Sequence, residues 1–185
     1  MMYLPIPGTR VIAIGGPARS GKDSAALAIA SVDPLRTLRV AFSDAISTYC
    51  RVQGHMTKRE PRLLQEVGYA LRQTSPSVWL DAVYWRIEEA RPRLAVITGV
   101  RFPDELAMVR DMGGTSVWVE RVRADGTFVR ATDRDLGFPT ETALTRTDFD
   151  RVLLNPDGAP ERFRLHALEL FRQLCPPPTF VASPQ

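Results

Sequence analysis

Cysteine and histidine are scarce in this sequence: two of each among 185 residues, Cys50, Cys175, His55 and His166. No CxxC pair occurs, so neither a recognisable zinc site nor a disulfide framework can be assembled. A reduced, cytoplasmic setting is the expectation. Long apolar runs are missing as well, and none approaches the roughly 18 residues of a membrane-spanning helix. The N-terminal MMYLPIPGTR lacks a basic segment leading into an apolar one, so it does not read as a secretory signal. Lysine is rare too. Lys22 and Lys58 stand alone against 22 arginines.

What is present is ordinary for a globular domain: 44% apolar and 24% charged residues, with a net charge of +3. The basic residues are spread along the chain, which argues against a dedicated nucleic-acid surface and predicts no stable nucleic-acid partner. Arginine forks do suit an anionic small molecule, because a planar guanidinium grips phosphate with two parallel bonds.

Short β-branched runs alternate with helical stretches. Strands are expected at Val11–Gly15, Leu38–Phe42, Leu94–Thr98, Thr115–Arg121 and Arg151–Leu154. Helices are expected at Gly21–Ser31, from about Asp44, at Glu60–Gln73, Pro76–Ala90, Pro103–Met112 and Pro160–Leu174. Continuous apolar strands separated by helices predict an α/β fold, a five-stranded parallel sheet with helices on both faces. Residues 1–175 read as one domain and 176–185 as an extended tail. The polar, arginine-rich stretch at about 123–139, with the turn pair Asp125-Gly126, reads as a small lid.

The chemical signal lies in Gly16-Pro17-Ala18-Arg19-Ser20-Gly21-Lys22-Asp23-Ser24, between a predicted strand and a predicted helix. That is the context of a phosphate-binding P-loop. Its glycines let backbone N–H groups converge on an anion, the helix N-terminus adds partial positive charge, and Lys22 reaches the outer phosphates. ATP binding is expected at Gly16, Ala18, Arg19, Ser20, Gly21, Lys22, Asp23 and Ser24. Asp23 stands where Ser or Thr is usual, so Asp23 and Ser24 are the candidate Mg²⁺ contacts. No Asn-Lys-x-Asp motif of GTPases occurs. Strand three ends Thr98-Gly99-Val100-Arg101, without the consecutive acids of motor ATPases. A small-molecule kinase is left.

Further blocks follow in order: Arg62-Leu63-Leu64-Gln65-Glu66-Val67-Gly68 leading to Trp79, Val100-Arg101-Phe102-Pro103-Asp104-Glu105, Gly113-Gly114, Thr140-Glu141 and Asn155-Pro156-Asp157-Gly158. With the P-loop variant Arg19-Ser20-Gly21-Lys22-Asp23, they resemble the phage-type deoxynucleoside monophosphate kinases over most of residues 10–172. The resemblance implies ATP- and Mg²⁺-dependent phosphorylation of a deoxynucleoside monophosphate by a homodimer with no membrane partner. A related kinase for dephospho-coenzyme A or phosphomevalonate, or a non-catalytic nucleotide-binding protein, is the alternative.

Arg62, Gln65, Tyr69 and Arg72 recur at helical spacing and form one expected substrate wall, with Gly68 leaving room for a ligand. Trp79 is expected to stack on the base, and Arg101, Glu105 and Asp44 to contact the acceptor. Lys22, Arg19, Arg101, Arg130 and Arg134 are the expected catalytic cations, since phosphoryl transfer between phosphates needs alignment and charge neutralisation more than a base. Two positions depart from the family: Gly99 where it carries Asp, and Phe138 where a polar residue is common.

Overall fold

The computed structural model describes residues 2–58, 60–129, 131 and 137–176. Five strands, β1 (Arg10–Gly15), β2 (Thr37–Ala41), β3 (Leu94–Val100), β4 (Thr115–Val122) and β5 (Arg151–Pro156), form one sheet in the order β2-β3-β1-β4-β5. Every neighbouring pair is parallel. The helices are α1 (Lys22–Ala30), α2 (Phe42–Val52), α3 (Pro61–Thr74), α4 (Val78–Ala90), α5 (Pro103–Asp111), the single turn α6 (Pro139–Thr142) and α7 (Pro160–Leu174).

The apolar strand sequences explain the layering. Along β1, Ile12 and Ile14 face a core with Ala25, Ile29, Phe163 and Ala167 of α1 and α7. Val11 and Ala13 face the opposite core, with Val83 and Ile87 of α4 and Leu106 and Val109 of α5. A strand covered on both sides has no polar positions to offer, hence VIAIG without alternation. A third, smaller cluster of Cys50, Met56 and Leu64 seats α3 on α2.

Strand order reverses at β1: the chain runs to β2 and β3 on one side, then to β4 and β5 on the other. Loops leaving β1, β3 and β4 therefore diverge and open a crevice at their carboxyl ends. Beyond β4, residues 123–129 turn back as a hairpin. Val129 N–H donates to the Arg121 carbonyl at 2.8 Å, and Asp125 caps the turn through the N–H and hydroxyl of Thr127. Arg130 and Arg134 lie outside the described residues. Among the described residues no helix is long and apolar enough to cross a membrane.

Candidate active site

The crevice holds a cavity of about 700 Å³. Its walls come from the β1–α1 loop, the ends of β2 and β3, and helices α3, α5 and α6.

The β1–α1 loop is held by sequence-specific packing. Gly16 has φ +127°, and a Cβ there would fall 2.2 Å from the Val119 carbonyl oxygen of β4, so only glycine lets the loop cross that strand. Arg19 sits at φ +60°, an uncommon conformation for a residue with a side chain. Asn155 at the end of β5 donates from Nδ2 to the Ser20 carbonyl at 2.8 Å and braces the loop from behind. Lys22 Nζ donates to the carbonyls of Gly16 and Pro17 at 2.9 and 2.5 Å. The lysine thus lies folded across the loop while lining the cavity.

Ala18, Arg19, Lys22 and Asp23 of the loop line the cavity, with Asp44, Gln65, Gly68, Tyr69, Arg72, Trp79, Arg101 and Glu105. The expected residues therefore gather largely at one place. Arg62 does not join them: its side chain is 91% exposed and pairs with Glu66 one turn on. It belongs to the solvent face of α3, a correction to the wall read from spacing. Ser24 is exposed and outside the lining, and Ser20 is buried beneath the loop.

Gly68 has a packing reason beside the one read in sequence. A Cβ there would meet Ile46 Cδ1 at 2.7 Å, so its missing side chain makes room for Ile46 of α2 while Gly68 also lines the cavity. Trp79 is 4% exposed, and its indole N–H donates to the Gly68 carbonyl at 2.9 Å. It acts as a strut between α4 and α3 whose flank borders the cavity.

The floor is an ionic cluster, buried at Arg72 and Glu105 and open to solvent at Asp104. Arg72 bridges Asp104 and Glu105 and lies 4.3 Å over the Phe102 ring. Glu105 is 2% exposed and accepts the backbone N–H groups of Arg101 at 2.6 Å and Phe102 at 3.2 Å, closing the start of α5. Burial pushes its carboxyl up to about 7, against the pull of Arg72 and those N–H groups. Arg101 in turn donates to the Thr140 carbonyl at 3.2 Å and to Glu141 at 3.0 Å. Gln65 donates to the Thr140 hydroxyl, and Phe138 packs edge-on against Tyr69 with ring centroids 5.7 Å apart. Helix α6 is thereby pinned over the cavity. The departure at Phe138 is an apolar clasp.

Sequence reading missed Arg39 and passed over Glu141 as a site residue. Arg39 lines the cavity from β2, and the alternation Leu38–Arg39–Val40, with Leu38 and Val40 in the core, was the available signal. Gly99, also lining, has φ +77° beside an irregularity in the β1–β3 register. An aspartate there is strained even though the space is open. We expect Gly99→Asp to lose about 1 kcal/mol or more, read from urea midpoints. An unchanged midpoint would show that the backbone relaxes freely.

Among the described residues, no three His, Cys, Asp or Glu side chains gather as a metal cage. Asp23 lines the cavity and is a carboxylate that could hold Mg²⁺, an ion that keeps several waters and needs only one or two carboxylates.

No family model matches this sequence, and no curated protein matches it. Among solved structures, an unliganded sugar kinase from Janibacter sp. HTCC2649 aligns over 92% of this chain and 97% of its own, at 15% identity and a TM-score of 0.49.

Proposed function

We propose that this protein is an ATP-dependent kinase whose acceptor is a deoxynucleoside 5'-monophosphate. The observation that carries the reading is a glycine-rich loop with Lys22 at the carboxyl end of the central strand, opening into one cavity with Arg19, Arg39, Arg72 and Arg101. An attacking phosphate oxygen is already ionised at neutral pH, so no histidine or other base is required.

In this reading the loop N–H groups and Lys22 hold the donor phosphates. Arg19, with Arg130 and Arg134 from the proposed lid, neutralises charge as it moves. Asp23 would hold Mg²⁺, which when bound would supply charge neutralisation at the donor phosphates. Arg101 and Arg39 take the acceptor phosphate. Gln65, Tyr69, Asp44 and the flank of Trp79 surround its sugar and base. Arg72 and Glu105 shape this wall through the start of α5. The resemblance adds a homodimer, which sedimentation would check.

An ADP-release assay across all common nucleoside and deoxynucleoside monophosphates, with dephospho-coenzyme A and phosphomevalonate alongside, tests the proposal. Turnover confined to the deoxynucleotides supports it. Turnover with another acceptor alone would reassign the substrate, and nucleotide binding without turnover would remove the enzyme.

We further expect Arg101→Ala to weaken acceptor use about 10- to 100-fold, the loss of one charge-assisted bond of about 1.5–3 kcal/mol, with ATP affinity little altered. Separate titrations of donor and acceptor decide it. A loss falling on ATP alone contradicts the placement of Arg101 on the acceptor side.

A further inference from the structure

A second cavity, of about 260 Å³, lies on the β4 side of the P-loop. Pro17 and Ala18 form one edge, and Phe128 and Leu144 give apolar walls. Trp118 and Glu120 project into its lining from the same face of β4, two residues apart. As whole residues Trp118 is 8% and Glu120 9% exposed, and among the described residues each carries a polar atom without a hydrogen-bond partner: the indole N–H of Trp118 and Oε2 of Glu120. Among the described residues that oxygen pairs with Arg146 Nη1 at 3.6 Å, an ion-pair distance beyond hydrogen-bond reach, on a side chain 52% exposed.

Four buried side-chain polar atoms among the described residues lack a hydrogen-bond partner, and two of them belong to residues that line this cavity; such groups are costly and mark places reserved for a ligand or bound water. One is a donor and the other an anionic acceptor. Their complement is a flat group with an N–H donor beside an acceptor, enclosed by apolar walls. Arg146 is loosely held and half exposed, so it can swing aside to let a donor reach Glu120.

We propose that this cavity is a nucleobase site, with Glu120 accepting an N–H of the base and Trp118 donating to a ring nitrogen or carbonyl. Given the P-loop reading above, on which this part rests, the base belongs to the donor nucleotide, since Pro17 and Ala18 of that loop border the cavity. A buried charged residue directly after the apolar run Val117–Val119 of β4 then has a reason that packing does not supply.

Affinities of ATP, GTP and tripolyphosphate for the wild-type chain, Glu120→Leu and Trp118→Phe test the proposal. The wild-type chain should bind the tighter nucleotide at least tenfold better than tripolyphosphate. Glu120→Leu should erase most of that margin, and Trp118→Phe part of it, with the tripolyphosphate Kd unchanged as a check on fold and loop. A margin that survives both substitutions overturns the base site while leaving the P-loop intact. So does a wild-type chain with no margin, where only water satisfies the two atoms. If neither nucleotide nor tripolyphosphate binds, the P-loop reading fails and adenosine and guanosine become the probes. Nucleoside binding that Glu120→Leu abolishes upholds the site, and no nucleoside binding overturns it.

Discussion

Lys22→Ala should lower phosphoryl transfer at least 100-fold while the fold stays intact. The side chain begins α1, lines the main cavity and bonds the Gly16 and Pro17 carbonyls, so its ammonium moves only locally to meet phosphate. A fixed cation aimed at developing charge is worth about 3–4 kcal/mol in a site shielded from water. The loop itself does not depend on the lysine alone, since Asn155 holds Ser20 and Gly16 is wedged against Val119. Circular dichroism and urea melts should therefore be close to wild type, with ADP release nearly abolished. A folded variant with near-normal turnover would remove the P-loop from the chemistry.

The largest effect on stability is expected at Arg72→Ala, about 3–5 kcal/mol near pH 8. The substitution leaves Glu105, 2% exposed, without its cation, and takes the guanidinium from Asp104 and from the Phe102 ring. Its pH dependence identifies the source. In the wild-type chain the Glu105 carboxyl is raised from 4.5 to about 7, so the folded state binds the extra proton. That contribution to stability is fully present below about pH 4.5 and is lost as pH rises through about 7, at up to about 1.4 kcal/mol per pH unit. Without Arg72 the carboxyl rises further, and the loss extends to higher pH. The penalty of Arg72→Ala should thus be clearly smaller at pH 4.5 than at pH 8. Adding Glu105→Gln should flatten the difference. Equal penalties at both pH values would assign Arg72 to packing.

Much of the fold is written locally. VIAIG, LAVIT and the shorter run Val117–Val119 are apolar without alternation, the pattern of a parallel sheet covered on both faces, and all five strands fall where the sequence predicts them. Small differences have local causes. β3 continues to Val100 because Gly99, at φ +77°, absorbs an irregularity and lets pairing resume. Helix α4 starts at Val78, two residues beyond the predicted start at Pro76, after a turn in which the Val78 N–H bonds the Ser75 carbonyl. The turn α6 was invisible, since four residues carry no periodicity; it is held by Gln65, Tyr69 and Arg101 from afar.

The candidate site divides along the same line. The order Gly16 to Asp23 after an apolar strand is enough to specify a strand–loop–helix anion cradle, because its requirements are local: glycine torsions, a helix start and a lysine at a set offset. Which residues share the cavity, and what they do there, is non-local. Helical spacing grouped Arg62 with Arg72, yet one meets solvent and the other a buried carboxylate, since α2 and α5 cover only part of α3. Gly68 serves Ile46, Trp79 serves Gly68, and Glu105 holds the start of α5. Trp118 and Glu120 came to line one cavity only when β4 was laid beside the P-loop, with no hydrogen-bond partner for either polar atom among the described residues. Sequence determines what each segment can form alone. Tertiary packing decides which polar groups find partners and which remain for a ligand, because burial and pairing depend on residues tens of positions away.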